Sequence, residues 1–203
     1  MLSLRLPAAL VLAASVLAAP TAAHAARVVT EDAVADAQSI RSDFDEEVFI
    51  LAPEHTAADI TRTVVAHGAR RLRVQVHVRD LGTAYPSGVH VKVRTPDRRF
   101  DVQAYHNVPN AGVQLTKGQR DDLVRCPGLR SSVDRSQDRL IVSVPTACLG
   151  GPAWVRVGVL TEVYEVDLGS AGEEPYFIYF DDAHKAGGFE DHGVRLGPKV
   201  LRG

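Results

Sequence analysis

Between Arg71 and Tyr105 the apolar residues recur at every second position, and that period commits the chain to strands. In "RLRVQVHV" Leu72, Val74, Val76 and Val78 share one face, with Arg73, Gln75 and His77 on the other. Successive side chains alternate across a strand, whereas a helix would need apolar residues every three to four positions. "VHVKVR" repeats the pattern with Val89, Val91 and Val93 inward and His90, Lys92 and Arg94 outward. After the "TPDR" turn, "FDVQAY" places Phe100, Val102 and Ala104 inward and Tyr105 outward. These three segments read as an antiparallel meander with one buried face, preceded by a further strand at "DITRTVV". "DRLIVSVP", "WVRVGVL", "YEVDL" and "YFIYF" bring the total to about eight strands. The fold class expected is all-β, a two-sheet antiparallel sandwich of jelly-roll type, although the same pattern permits a barrel.

The first 25 residues form a different unit. Arg5 precedes an apolar run from Leu6 to Ala19, and Ala23, His24 and Ala25 supply a small-x-small cleavage site. The run is too short for a membrane span and is interrupted by Pro7, so residues 1–25 read as a signal peptide and the protein as secreted. Residues 26–203 then suit one domain, with an acidic N-terminal segment at 26–58 and a tail at 183–203. Two cysteines in an oxidising compartment most simply form one disulfide, Cys126–Cys148. The excess of Arg over Lys and the Ala/Val-rich apolar set suggest a GC-rich, bacterial source.

The net charge of −2 excludes a nucleic-acid binder or a polybasic membrane ligand, and no later stretch is apolar enough to span a bilayer. Charge is nevertheless uneven. Thr30 to Asp59 holds nine acids against Arg41 alone, and Arg70 to Arg99 holds eight bases against two acids. As a meander, Arg73, Lys92 and Arg94 would share the solvent side of one sheet, open to an anionic polymer or covered by the acidic segments. Outward His77 and His90 on neighbouring strands would make only two of the three or four ligands that zinc requires. For calcium, the candidates are Asp43, Asp45 and Glu47 of "DFDEEV" with Asp181 and Asp182 of "FDDAH". The first group lacks the glycine and distal glutamate of a helix-loop-helix calcium loop.

No nucleophile elbow, metalloprotease helix or phosphate loop is present, so no catalytic residue is assigned and no enzymatic activity is expected. Two carboxylates brought together by the fold would leave no spacing to read, which keeps a hydrolase as an alternative. Trp154, the single tryptophan, lies on the parity opposite Val155, Val157 and Val159. It is either an exposed platform or a ring packed over the disulfide.

The order "ADITRTVVAHGARRLRVQVHVRDL", then "DRLIVSVPTACLGGPAWVRVGV", resembles a group of small secreted actinobacterial proteins of uncharacterised function. Its layout is also similar to DOMON and family-9 carbohydrate-binding jelly rolls. The resemblance implies a fold and a secreted address, without an activity. Axial methionine ligation of haem, known among DOMON domains, is disfavoured, since the only methionine is Met1. The function expected is a secreted, non-catalytic binding or cell-envelope-associated module. A carbohydrate-binding module is one alternative, and a glycan or another extracellular protein is the expected partner. The candidate ligand-contacting residues are Trp154, Tyr105, Arg73, Lys92 and Arg94.

Overall fold

The computed structural model describes residues 25–43, 46–82, 87–109, 111–118, 122–166, 176–185 and 193–203. Residues 1–24 of the expected signal peptide lie outside them. The described residues form fourteen strands and no α-helix. They are β1 (Ala26–Glu31), β2 (Gln38–Asp43), β3 (Glu46–Leu51), β4 (Ile60–His67), β5 (Arg71–Val78), β6 (Ser87–Arg94) and β7 (Arg99–His106). The remainder are β8 (Gly112–Lys117), β9 (Asp122–Leu123), β10 (Arg130–Asp134), β11 (Arg139–Pro145), β12 (Trp154–Val166), β13 (Tyr176–Asp182) and β14 (Lys199–Leu201).

Two antiparallel sheets result. The smaller runs β1-β4-β5-β11-β10, and the larger runs β3-β2-β13-β12-β6-β7-β8-β9, with β14 also paired to β12. The strand count exceeds eight because short edge and terminal segments pair as well. "WVRVGVL" and "YEV", read above as separate strands, form one continuous strand of 13 residues.

The inward parity of the long strands is as the alternation predicts. Val74 lies between Val65 and Val142 in the smaller sheet, and Val91 between Val159 and Val102 in the larger. These residues belong to one apolar cluster between the sheets. Each fully buried valine favours folding by roughly 1.5–3 kcal/mol relative to exposure. Polar residues also enter this layer. His67 is fully buried opposite Leu72, and its Nδ1 donates to the Val200 carbonyl at 3.3 Å, which fastens β14 to β4.

The expected meander is formed only in part: the β4–β5 and β6–β7 pairings are present, but β5 does not pair with β6. β5 pairs with β4 and β11, whereas β6 pairs with β12 and β7 in the opposite sheet. The chain after Val78 crosses between layers, a distance of about 10 Å that a segment of this length spans easily. His77 and His90 therefore do not face each other across a ladder; His77 lies between Arg62 and Arg139. Arg73 is likewise separated from Lys92 and Arg94, so the basic residues are divided between two outer faces.

Cys126 and Cys148 form a disulfide with their Cα atoms 5.6 Å apart. Cys148 sits in the 3-10 turn Thr146–Leu149 after β11, and Cys126 precedes β10. The bond ties the end of β11 to the approach of its edge neighbour.

Candidate functional site

Two groups of polar side chains stand out, one on the outer face of the larger sheet and one between the sheets. On the outer face, β6 contributes Gly88, His90 and Lys92, β7 contributes Asp101, Gln103 and Tyr105, and β12 contributes Glu162 and Tyr164. Antiparallel register sets Gly88 beside both Tyr105 and Glu162. The Tyr105 ring approaches so closely that a Cβ at Gly88 would lie 3.0 Å from it, so glycine is what lets the ring settle there.

Glu162 organises this group. Its Oε2 lies 2.9 Å from His90 Nε2 and accepts from the Tyr164 hydroxyl at 2.8 Å. The carboxylate can only accept, so it fixes Nε2 as the protonated nitrogen, with the Tyr105 hydroxyl oxygen 3.2 Å from the same nitrogen. Burial alone would raise the Glu162 pKa, but the hydrogen bond and charge of His90 and the Tyr164 hydroxyl bring it below the usual value. Burial, together with Glu162 and Asp101, pushes the Tyr105 phenol up. Beside this network Lys92 pairs with Asp101, and Gln114 donates to Gln103 at 2.7 Å. Gln103, Tyr105 and Gln114 line a recess of about 350 Å³.

Towards the β6–β7 turn the face becomes basic. Arg94, Arg98, Arg99 and Lys117 surround a depression of about 490 Å³ that also holds Asp97 and Asp122. The segment 193–198 crosses β12 at Gly158, where an added Cβ would meet the Arg195 carbonyl at 2.5 Å. Lys92, Arg94 and Tyr105 thus share one face, while Arg73 lies on the other side of the sandwich. Trp154 is on the same face as Lys92 but beyond the crossing segment. It is half-buried, with the Lys199 ammonium 4.5 Å from its ring centroid.

The second group is acidic. After β1 the chain crosses to the larger sheet through Asp32, Ala35 and Asp36. Asp59 immediately precedes β4, and Asp181, paired with Thr161, points inward near the end of β13. One oxygen from each of Asp36, Asp59 and Asp181 lies within 4.8 Å of the others. Asp59 has 0% exposure, and its Oδ2 accepts the Ala35 N–H at 2.9 Å and meets Arg79 Nε at 2.9 Å. Ala35 makes that contact from a left-handed backbone with φ of 66°, uncommon for a residue with a Cβ. Asp181 Oδ2 accepts the Ile60 N–H at 2.7 Å, which links the two sheets.

Burial raises the Asp181 pKa to about 8, and Asp36, Asp32 and Asp59 add repulsion. Burial also lifts Asp32 to about 7, helped by Asp36, Asp182 and Asp59. A cluster of this kind holds either shared protons or a hard cation. Of the calcium candidates read from sequence, Asp181 belongs to it. Asp182 follows on the opposite side of β13, its carboxylate accepting from the His184 and Arg195 N–H groups at 3.1 and 2.7 Å. Asp43 and Glu47 fall in β2 and β3, and Asp45 lies outside the described residues.

Asp36 and Asp59 were not among the metal candidates, nor His90, Gln103, Glu162 and Tyr164 among the ligand candidates. Parity alone puts the latter four outward, but only the β12-β6-β7 order brings them together. No protein-family model matches the chain, and no curated protein matches it.

Proposed function

We propose that the protein is a secreted, non-catalytic binding module that takes a carbohydrate on the outer face of its larger sheet. The observation that carries this reading is the hydrogen-bonded set His90, Glu162, Tyr105 and Tyr164, with Gln103 and Gln114 beside it. Sugars present dense hydroxyl groups and apolar C–H faces. Fixed donors and acceptors next to a tyrosine ring meet both, and their prior ordering reduces the entropy lost on binding. Secretion is supported by the leader-like residues 1–25 and by the disulfide, which persists in oxidising compartments. No helix among the described residues is long and apolar enough to cross a membrane.

The hydrolase alternative would need a proton-donating carboxyl facing a cleft. The one favouring observation is Asp32, raised to about 7, at the rim of a depression of about 500 Å³ shared with His184 and Arg195. The other strongly raised carboxyl, Asp181, is 3% exposed and out of a substrate's reach.

The test is a glycan array followed by calorimetric titration of each hit against wild-type protein and Tyr105→Ala. The variant should weaken binding about tenfold or more. Equal binding by wild type and Tyr105→Ala, or an array without hits, contradicts the proposal.

A further inference from the structure

We propose that Asp36, Asp59 and Asp181 form a calcium site that joins the two sheets, independently of any ligand on the outer face. Calcium binds oxygen ligands at about 2.3–2.6 Å, so two ligands of one ion lie at most about 5 Å apart. The three carboxylate oxygens meet that limit, each within 4.8 Å of the others.

A second observation points to a ligand. Asp59 Oδ1 is buried and has no hydrogen-bond partner, on a side chain with no exposure, while Oδ2 is already engaged by Ala35 and Arg79. A buried carboxylate oxygen left without a partner is unfavourable, and an ion bound by it would supply the missing contact. Arg79, 2.9 Å from Asp59, offsets only part of the negative charge that Asp36, Asp59, Asp181 and nearby Asp32 gather here.

An all-carboxylate set favours a hard cation over zinc, which prefers nitrogen and sulfur. Magnesium keeps most of its water and demands near-octahedral geometry, which suits a buried junction less well than calcium's flexible shell. The three residues come from the crossing segment after β1, the residue just before β4 of the smaller sheet and the end of β13 in the larger. An ion there would hold these segments together.

The experiment uses the purified protein stripped with a chelator and returned to chelator-free buffer at pH 7.5. Calorimetric titration with CaCl₂ should show one ion per chain. At a hundred times the dissociation constant the melting midpoint should rise by about 5–10 °C, with a smaller rise for MgCl₂. Asp36→Asn, at a half-buried position, and Asp181→Asn should each weaken calcium binding at least tenfold; circular dichroism checks that both remain folded. If Asp181→Asn does not fold, Asp36→Asn decides the matter. No binding heat and no midpoint shift in the wild type would overturn the proposal. So would a shift that Asp36→Asn keeps in full, because the cluster would then hold protons in place of an ion.

Discussion

Glu162 and Asp181 are both carboxylates set largely out of water, on neighbouring strands of one sheet, yet their proton affinities move in opposite directions. Glu162 receives the His90 N–H and the Tyr164 hydroxyl and is drawn below its usual pKa. Asp181 receives one backbone N–H, from Ile60, and is surrounded by Asp36, Asp32 and Asp59, which with burial carry it to about 8. Burial alone does not set the sign; the partners do. On the outer face the partners are donors that favour the ionised carboxylate. Between the sheets they are like charges, which are relieved by shared protons or by a cation.

The comparison is tested most severely by removing one acid from each region. Asp59→Ala strips Ala35 of its acceptor and leaves Arg79 without its carboxylate, and should cost about 3–4 kcal/mol in denaturant unfolding. Glu162→Ala should cost only about 1 kcal/mol, because half-buried His90 and Tyr164 can turn to water. Equal losses would break the distinction between the regions. Reducing Cys126–Cys148 provides a control outside both, expected to lower global stability by about 3 kcal/mol. Below the melting range, calcium and glycan titrations of the reduced protein should match those of the oxidised form.

Stability against pH should separate the regions further. Asp181 has a folded pKa of about 8 against an ordinary 3.8, so the stability it lends is full below pH 3.8 and is lost as pH rises through about 8. Cation-free protein should therefore melt lower at pH 8.5 than at pH 5.5, and Asp181→Asn should flatten that slope. Glu162 has the reverse sign: its contribution is present above the ordinary 4.5 and is lost as pH falls through its lowered folded value. Glu162→Gln should flatten the acid limb alone. A similarly small effect is expected from Gly88→Ala, whose methyl would press on Tyr105 from 3.0 Å. It should destabilise by about 1 kcal/mol and weaken binding of any glycan found for the outer face, without changing the response to calcium.

Much of the sandwich was legible as parity. Leu72, Val91 and Val157 are buried where the alternation places them, because a strand's two faces follow from its own sequence. What parity cannot carry is which sheet a strand joins. β5 and β6 bury the same set of residues whether they pair side by side or face each other across the core, so the meander reading and the observed crossing predict identical patterns. That ambiguity misplaced Arg73 beside Lys92 and Arg94. The sites were less legible for the same reason. His90 and Glu162 meet only because β6 pairs with β12, and Asp36, Asp59 and Asp181 only because three distant segments converge. Asp181 was singled out by its place in "FDDAH", but nothing in the local sequence separates Asp59 from any acid at the start of a strand.

The most direct measurement is a carbon-detected NMR titration of the Asp181 and Glu162 carboxyl groups in cation-free protein. The account predicts that Asp181 titrates near pH 8 and Glu162 below the ordinary glutamate range. Titration of Asp181 near pH 4, or of both carboxyl groups at a common value, would contradict it.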